Sequence, residues 1–420
     1  MLYLPMVQVF GWLAWLAPGR QRAVAAGHGA GAMPAGALAA WRALVTVSLM
    51  RILVASAPML GHVFPLVPLS RALQAAGHDV VIATAAEGLA VNRAGLAVEG
   101  IASKISFRAI AMRTMLRHPL IARAELAGAA GTRGVALLFS AVNDQLADGL
   151  VTLAKRWRPD LIVHEPLAVA GALAAAKVGV PAVLHENSLF DGPTLIDVTA
   201  RRLTSARRRH EVNALPPAVA TISIAPPSVV GGRTGWPMRA IPYSGEGTLP
   251  GWLAEPSSRP RIVVSRSTVS GPGGDRLMSA VVAAAPGVDA EFVLIRPDRR
   301  VGAMTMPANV RTVGWTPLPA LLGHCAGVVH HGGAGTALAA LDAGVPQLIV
   351  NGPGDRRHNA GLVATRGAGL AVDEREIAAD TLVRLISDTG LAANAAAVSA
   401  EMAAMPAPER LVPRIEALIT

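Results

Sequence analysis

The sequence predicts an α/β fold of two doubly wound, parallel-sheet domains facing each other across a cleft. Three observations predict it. Short apolar segments of strand length alternate with helical ones along most of the chain, the pattern of parallel sheets covered on both faces. Two similar segments, Arg51 to Ser56 and Arg261 to Ser265, stand about 210 residues apart, and each reads as the first strand of a Rossmann-like sheet. Between them, Leu249 to Pro260 is a Pro/Gly/Ser-rich linker.

The elements follow in chain order. Residues 1–49 form an extension: Met1 to Pro18 is apolar and uncharged, and Arg20 and Arg22 come after it rather than before, unlike a secretory signal. It is expected to be poorly ordered, or to result from a misassigned start codon with Met50 as the true first residue; an interfacial membrane anchor is the other reading. Residues 50–248 make the first domain. After its first strand come a loop with Gly61, a helix from about Leu66 to Ala76, a stop at Gly77-His78 and the strand Asp79 to Thr84. Further strands are expected at Leu161 to His164 and Ala182 to His185. Residues 249–260 are the linker and 261–405 the second domain, with strands at Arg261 to Ser265, Glu291 to Ile295, Gly327 to His330 and Gln347 to Val350. Residues 406–420 contain an amphipathic helix, Pro408 to Ile419, expected to pack back on the first domain.

Composition narrows the function. The chain has 420 residues, enough for two or three cored domains. Mean hydropathy is +0.43, but the apolar runs past residue 50 are short, so stable membrane insertion is not expected. Net charge is +10, carried almost wholly by scattered arginines, and with two tyrosines and six phenylalanines there is little for nucleic-acid bases to stack on. The one local cluster, Arg201-Arg202 with Arg207 to Arg209, reads as a solvated helix face, or as recognition of an acidic or carrier-bound acceptor. A single cysteine, Cys325, excludes a disulfide framework and a Cys-X-X-Cys metal site and suits a reducing cytoplasm.

The chemistry concentrates at Val328 to Thr336, VVHHGGAGT, where an apolar strand runs into a glycine-rich turn that opens a helix from about Ala337 to Ala343. Amides at such a helix start, approached closely because Gly332, Gly333 and Gly335 carry no side chain, form a phosphate cradle. His331 and Thr336 add side-chain donors.

With this cradle the chain resembles the GT-B fold glycosyltransferases that decorate macrolide, enediyne and related actinomycete natural products, most closely the calicheamicin type. The resemblance runs from Met50 to the C-terminus. It is carried by Gly61 to Leu66 (GHVFPL), Arg158 to Glu165 (RPDLIVHE), Met238 to Tyr243 (MRAIPY), Val313 to Leu318 (VGWTPL), the HHGGAGT turn, and Gly344 to Gln347 running on to Asp355.

This resemblance implies inverting transfer from a TDP- or UDP-sugar, commonly a TDP-deoxysugar, to an aglycone hydroxyl, without metal or other cofactor. His62 is then the general base, a role worth roughly 10²–10⁴ in rate. Glu165 is the carboxylate that orients it and stabilises the imidazolium. Taken alone, His62 reads as a surface-loop histidine, and Glu165 has a second reading as an N-cap for the helix after Pro166. The adjacent His164 is expected to point to the opposite face. Trp315, in a turn with Thr316, stacks on the nucleobase, a contact worth about 1–3 kcal/mol, with core packing as the alternative. Thr268 faces the diphosphate, preceded here by Ser267 where the family has glycine. His331, Gly333, Ala334, Gly335 and Thr336 hold the diphosphate. Asp355 binds sugar hydroxyls unless the neighbouring arginines pair with it, and Arg356 stands where relatives have glutamine. The partners implied are the nucleotide sugar and a small-molecule aglycone, with a homodimer allowed. A non-catalytic helper of a transferase and a nucleotide-sugar epimerase share the architecture.

Overall fold

The computed structural model describes residues 49–103, 105–126, 130–267 and 276–419. Most of the N-terminal extension and Thr268 lie outside these residues. The described chain contains two all-parallel sheets. The first joins β1 (Arg51–Ala55), β2 (Asp79–Thr84), β3 (Ala97–Gly100), β4 (Leu161–His164), β5 (Ala182–His185), β6 (Ala220–Ser223) and β7 (Trp236–Pro237) in the order β3-β2-β1-β4-β5-β6-β7. The second joins β8 (Arg261–Ser265), β9 (Glu291–Ile295), β10 (Val310–Val313), β11 (Gly327–His330), β12 (Gln347–Val350) and β13 (Gly369–Val372) in the order β10-β9-β8-β11-β12-β13.

Both orders reverse direction beside the first strand. In the first sheet the reversal lies between β1 and β4, with Ile52 opposite Leu161 and Ala55 opposite His164. In the second it lies between β8 and β11, with Ser265 opposite His330. At such a point successive helices leave on opposite faces and open a crevice at the carboxyl ends of the strands. The sequence thereby places the chain segments after Ala55, His164, Ser265 and His330 around two crevices.

Period-two alternation sends the side chains of each central strand into two layers. Ile52 and Val54 pack into one cluster with Leu73 and Leu161, while Leu53 and Ala55 pack into the other with Leu146, Leu150 and Leu173. In the second sheet Ile262 and Val264 face Val281 and Phe292, and Val263 faces Leu321 and Val345. Each fully buried aliphatic side chain contributes about 1.5–3 kcal/mol, so the strands are held from both sides. Helix Ala170–Val178 comes especially close to the first sheet: a Cβ on Gly171 would lie 2.6 Å from the His164 Cβ. No helix among the described residues is long and apolar enough to cross a membrane.

The C-terminal segment forms a 3-10 turn, Pro408–Leu411, and a short helix, Val412–Glu416. Leu411, Val412 and Ile415 join the cluster that covers β1, and Glu416 accepts a hydrogen bond from buried His78 at 3.1 Å.

Candidate active site

His62 does not sit in an open loop. Residues Leu60–Val63 form one helical turn, continued by a 3-10 turn at Phe64–Leu66 and the helix Val67–Ala75. Pro65 tolerates this because the first residues of a helical turn have no amide partner to lose. The turn fixes the imidazole at the carboxyl end of β1, where its Nδ1 lies 3.3 Å from Oε2 of Glu165 and its side chain is 22% exposed.

Glu165 follows β4 and is fully buried. Its Oε1 accepts from the Ala57 amide at 2.9 Å, and its Oε2 accepts from the Leu167 amide at 2.7 Å and the Asn187 amide at 3.2 Å. The carboxylate thus holds local backbone and faces His62 at once. It does not cap the next helix, which opens at Ala170 with Val169 in the capping position. Burial alone would raise its pKa, but the charge and hydrogen bond of His62 and the Leu167 and Ala57 amides outweigh that and lower it. For His62, burial pushes downward, yet Glu165 and the more distant Asp355 carry the imidazole above its ordinary value. A proton on Nδ1 aimed at Glu165 leaves Nε2 as the unprotonated ring nitrogen. His164 is buried on the other side, against Gly171, and burial lowers its pKa.

Asn187 was not singled out by the sequence. It follows β5, and its amide donates to Glu165 Oε2 at 3.2 Å and to the His62 carbonyl oxygen at 3.4 Å, tying the His62 segment and the carboxylate together. Its position just past a central strand end, beside those of β1 and β4, was the available signal.

The second crevice is built by the glycine turn. Gly332 has φ +87°, a left-handed conformation suited to glycine, and its amide donates to Nδ1 of His330 at 3.1 Å. His330 also bonds Gln347 at 2.9 Å, and burial drives its pKa down to about 4, so it is a neutral brace under the turn. His331 follows directly after β11; burial, then the positive charge of Arg356, hold its pKa well below the ordinary value. A Cβ on Gly333 would meet His331 Nε2 at 2.5 Å.

The helix opens at Ala334, three residues earlier than expected, with Gly333 as its cap. Its first turn closes through the Thr336 amide, which donates to the Gly333 carbonyl at 3.1 Å. The free donors are therefore the Ala334 and Gly335 amides, and Thr336 is left to act through its hydroxyl.

One cavity of about 560 Å³ connects the two crevices. His62, Ser267, Trp315, Thr316, His331, Gly333, Ala334, Gly335, Thr336, Asp355 and Arg356 all line it, while Glu165 lies behind His62. Trp315 is 42% exposed, which rules out core packing, and Arg296 lies over its ring at 4.9 Å. The Thr316 hydroxyl turns back to the Gly314 carbonyl at 3.5 Å. Asp355 accepts from Asn359 at 2.8 Å, and Asn359 also donates to the Gly332 carbonyl at 2.8 Å; no arginine among the described residues pairs with Asp355. The walls on the first-domain side are apolar, with Phe64, Phe107, Phe139 and Phe190 among them.

The arginine cluster lies away from this cavity. Arg209 pairs with Asp144 at 3.0 Å and Asp148 at 3.2 Å, and Arg201 with Asp197 at 2.6 Å, so it is a salt-bridged helix face.

Comparison with known proteins agrees with this architecture. Residues 71–267 match the N-terminal domain of the erythromycin biosynthesis protein CIII-like family, and residues 279–418 match its C-terminal domain. The elloramycin glycosyltransferase ElmGT of Streptomyces olivaceus is 34% identical over 87% of this chain and 97% of its own. The crystal structure of the glycosyltransferase SnogD from Streptomyces nogalater superposes with a TM-score of 0.74, at 33% identity, over 88% of this chain and 100% of that one. SsfS6, a Streptomyces glycosyltransferase solved with thymidine diphosphate, gives a TM-score of 0.73 at 29% identity over 88% of this chain and 99% of that one. Two parallel sheets meeting at one cavity, with both halves of the chain matched, make this a GT-B glycosyltransferase of the erythromycin CIII-like family of antibiotic biosynthesis.

Proposed function

We propose that the chain transfers a sugar or deoxysugar from a TDP- or UDP-sugar to a hydroxyl of an aglycone, with inversion at the anomeric carbon and without a metal. The observation that carries this reading is the His62–Glu165 pair, 3.3 Å apart, opening onto a cavity that the glycine turn also lines. The apolar walls around Phe107 and Phe139 suit a flat or macrocyclic aglycone. The relative SsfS6 binds thymidine diphosphate, which supports Trp315 as the nucleobase platform and the glycine turn as the diphosphate cradle.

In this mechanism His62 Nε2 takes the proton of the acceptor hydroxyl as its oxygen bonds to the anomeric carbon. The bond from that carbon to the diphosphate breaks on the opposite side, and its electron pair leaves with the diphosphate. The imidazolium is stabilised by Glu165, and the leaving charge meets the Ala334 and Gly335 amides, preorganised by the helix. Asp355 holds sugar hydroxyls. Positive charge from backbone and arginine takes the place of a cation.

The test is turnover of TDP- and UDP-sugars with a panel of aglycones. His62→Ala is expected to lose roughly 10²–10⁴ in kcat while still binding the nucleotide, and a chelator is expected to leave the rate unchanged. Undiminished turnover by His62→Ala would remove the proposed base; loss of rate with chelator would remove metal independence.

A further inference from the structure

Arg296 follows β9 at the carboxyl edge of the second sheet and has φ +52°, a left-handed backbone that side chains other than glycine adopt at a cost. Among the described residues Ala86, Arg158 and Glu211 share this feature, each beside a helix end. Arg296 stands at a strand end, inside the cavity. Both of its backbone polar groups are tied: its amide donates to the Val313 carbonyl at 2.8 Å, and its carbonyl accepts from Nε of Arg266 at 2.7 Å. The surroundings over-determine the conformation, and what it achieves is to lay the guanidinium over Trp315 at 4.9 Å.

Arg356 approaches the same region from the other side of the glycine turn. It opens the helix Arg356–Thr365, and its carbonyl oxygen would lie 3.0 Å from a Cβ on Gly332. Its side chain runs over Gly352, where a Cβ would come within 2.8 Å of its Cδ. Arg266, Arg296 and Arg356 all line the cavity, and among the described residues no carboxylate forms an ion pair with any of them. Glu125, also in the wall, accepts the Gly354 amide at 2.8 Å instead. Burial and the nearness of Arg266 lower the Arg296 pKa, and both Arg356 and Arg296 act on His331 in the same sense. Like charges gathered without counter-ions beside a helix start are relieved by an anion.

We propose that Arg296 and Arg356 clamp the donor diphosphate from two sides, Arg296 linking the Trp315 platform to the phosphates while Arg266 positions it. This rests on the nucleotide-sugar reading above. The Arg296 guanidinium lies over the indole; with donor bound, it pairs with a diphosphate that carries negative charge before the bond breaks and more afterwards. Arg356 then serves the leaving group rather than the sugar.

The experiment measures binding of TDP, thymidine and inorganic pyrophosphate by calorimetry, at two salt concentrations. Arg296→Gly suits the left-handed backbone and removes the guanidinium, so its melting temperature should hold or rise. Its TDP and pyrophosphate affinities should fall at least about tenfold, as should those of Arg356→Gln, with thymidine affinity unchanged and the salt dependence of TDP binding reduced. Unchanged TDP and pyrophosphate affinity in either variant would overturn the clamp. An equal loss for thymidine and TDP would overturn it too, assigning Arg296 to the shape of the base platform. Arginine-dependent pyrophosphate binding by a protein that turns over no nucleotide sugar would keep the clamp and defeat the donor reading.

Discussion

At the scale of single residues, the site is governed by one buried negative charge. Glu165 has no access to water, and it remains ionised because two backbone amides, the Asn187 amide and His62 converge on it. Its field raises the His62 pKa, which makes the imidazole a stronger proton acceptor but requires a higher pH for it to be empty. The sign fixes a pH profile: kcat/KM should climb with pH through an apparent pKa above the ordinary value of about 6.5 for histidine. Glu165→Gln keeps the shape and removes the charge. The rising limb should then move to lower pH while the maximal rate falls, because the imidazolium of the proposed mechanism loses its counter-ion. A pH–rate series on the two proteins checks this, and an unmoved limb would show that Glu165 does not set the His62 pKa. Sequence alone could nominate His62 and Glu165, since each belongs to a local motif. Asn187 and Arg296 are illegible in the sequence: one acts through a partner 125 residues away, and the other through a backbone conformation that no residue near it announces.

At the scale of elements, the unit that matters is strand, glycine turn and helix from β11 into Ala334–Asp342. Its central strands were legible because they are continuous runs of buried aliphatic residues, such as Val328 and Val329. The strands away from the sheet centre were not. β3, β7 and β10 carry exposed or polar positions, Glu99, Pro237 and Arg311 among them, so a short half-solvated strand looks like a loop. The turn at Leu60–Val63 also escaped, because four residues hold too little periodicity to mark a helix. The glycine turn itself can be tested. Gly332 is needed for its positive φ, whereas Gly333 has φ −66° and is needed only for space. Gly333→Ala should therefore fold with a loss of at most about 1–3 kcal/mol, the range for overpacking, while pushing His331 aside and weakening TDP binding. Thermal melts with nucleotide titration separate the two effects; a variant that binds TDP normally would mean that His331 is not part of the cradle.

At the scale of the whole molecule, the last described residues pack against the layer that covers β1. After the long helix Thr389–Ala404 the backbone leaves the second domain, and the Arg239 amide donates to the Pro406 carbonyl at 2.8 Å. The segment then lays Leu411, Val412 and Ile415 against the layer of β1 that carries Ile52 and Val54. Polar contacts flank this seam. Arg414 covers the Trp236 ring at 4.2 Å, and Glu416 meets His78 at 3.1 Å with its own side chain 30% exposed. Magnitudes decide which of these matters. An exposed cation–π contact is worth about 0.5–1 kcal/mol, whereas emptying a fully buried isoleucine site costs about 2–5 kcal/mol. Ile415, with no exposed surface, is therefore the anchor, and Arg414 is a surface addition. Ile415→Ala should lower stability several times more than Arg414→Ala in denaturant titrations followed by tryptophan fluorescence. Because Val63 and Leu66, which flank the His62 turn, pack into the same cluster as Ile415, the Ile415 variant should first loosen the support of that turn. Its activity should accordingly fall at temperatures where the second domain still binds nucleotide. Equal stability losses in the two variants would mean that the seam is held by its polar rim rather than by its apolar core.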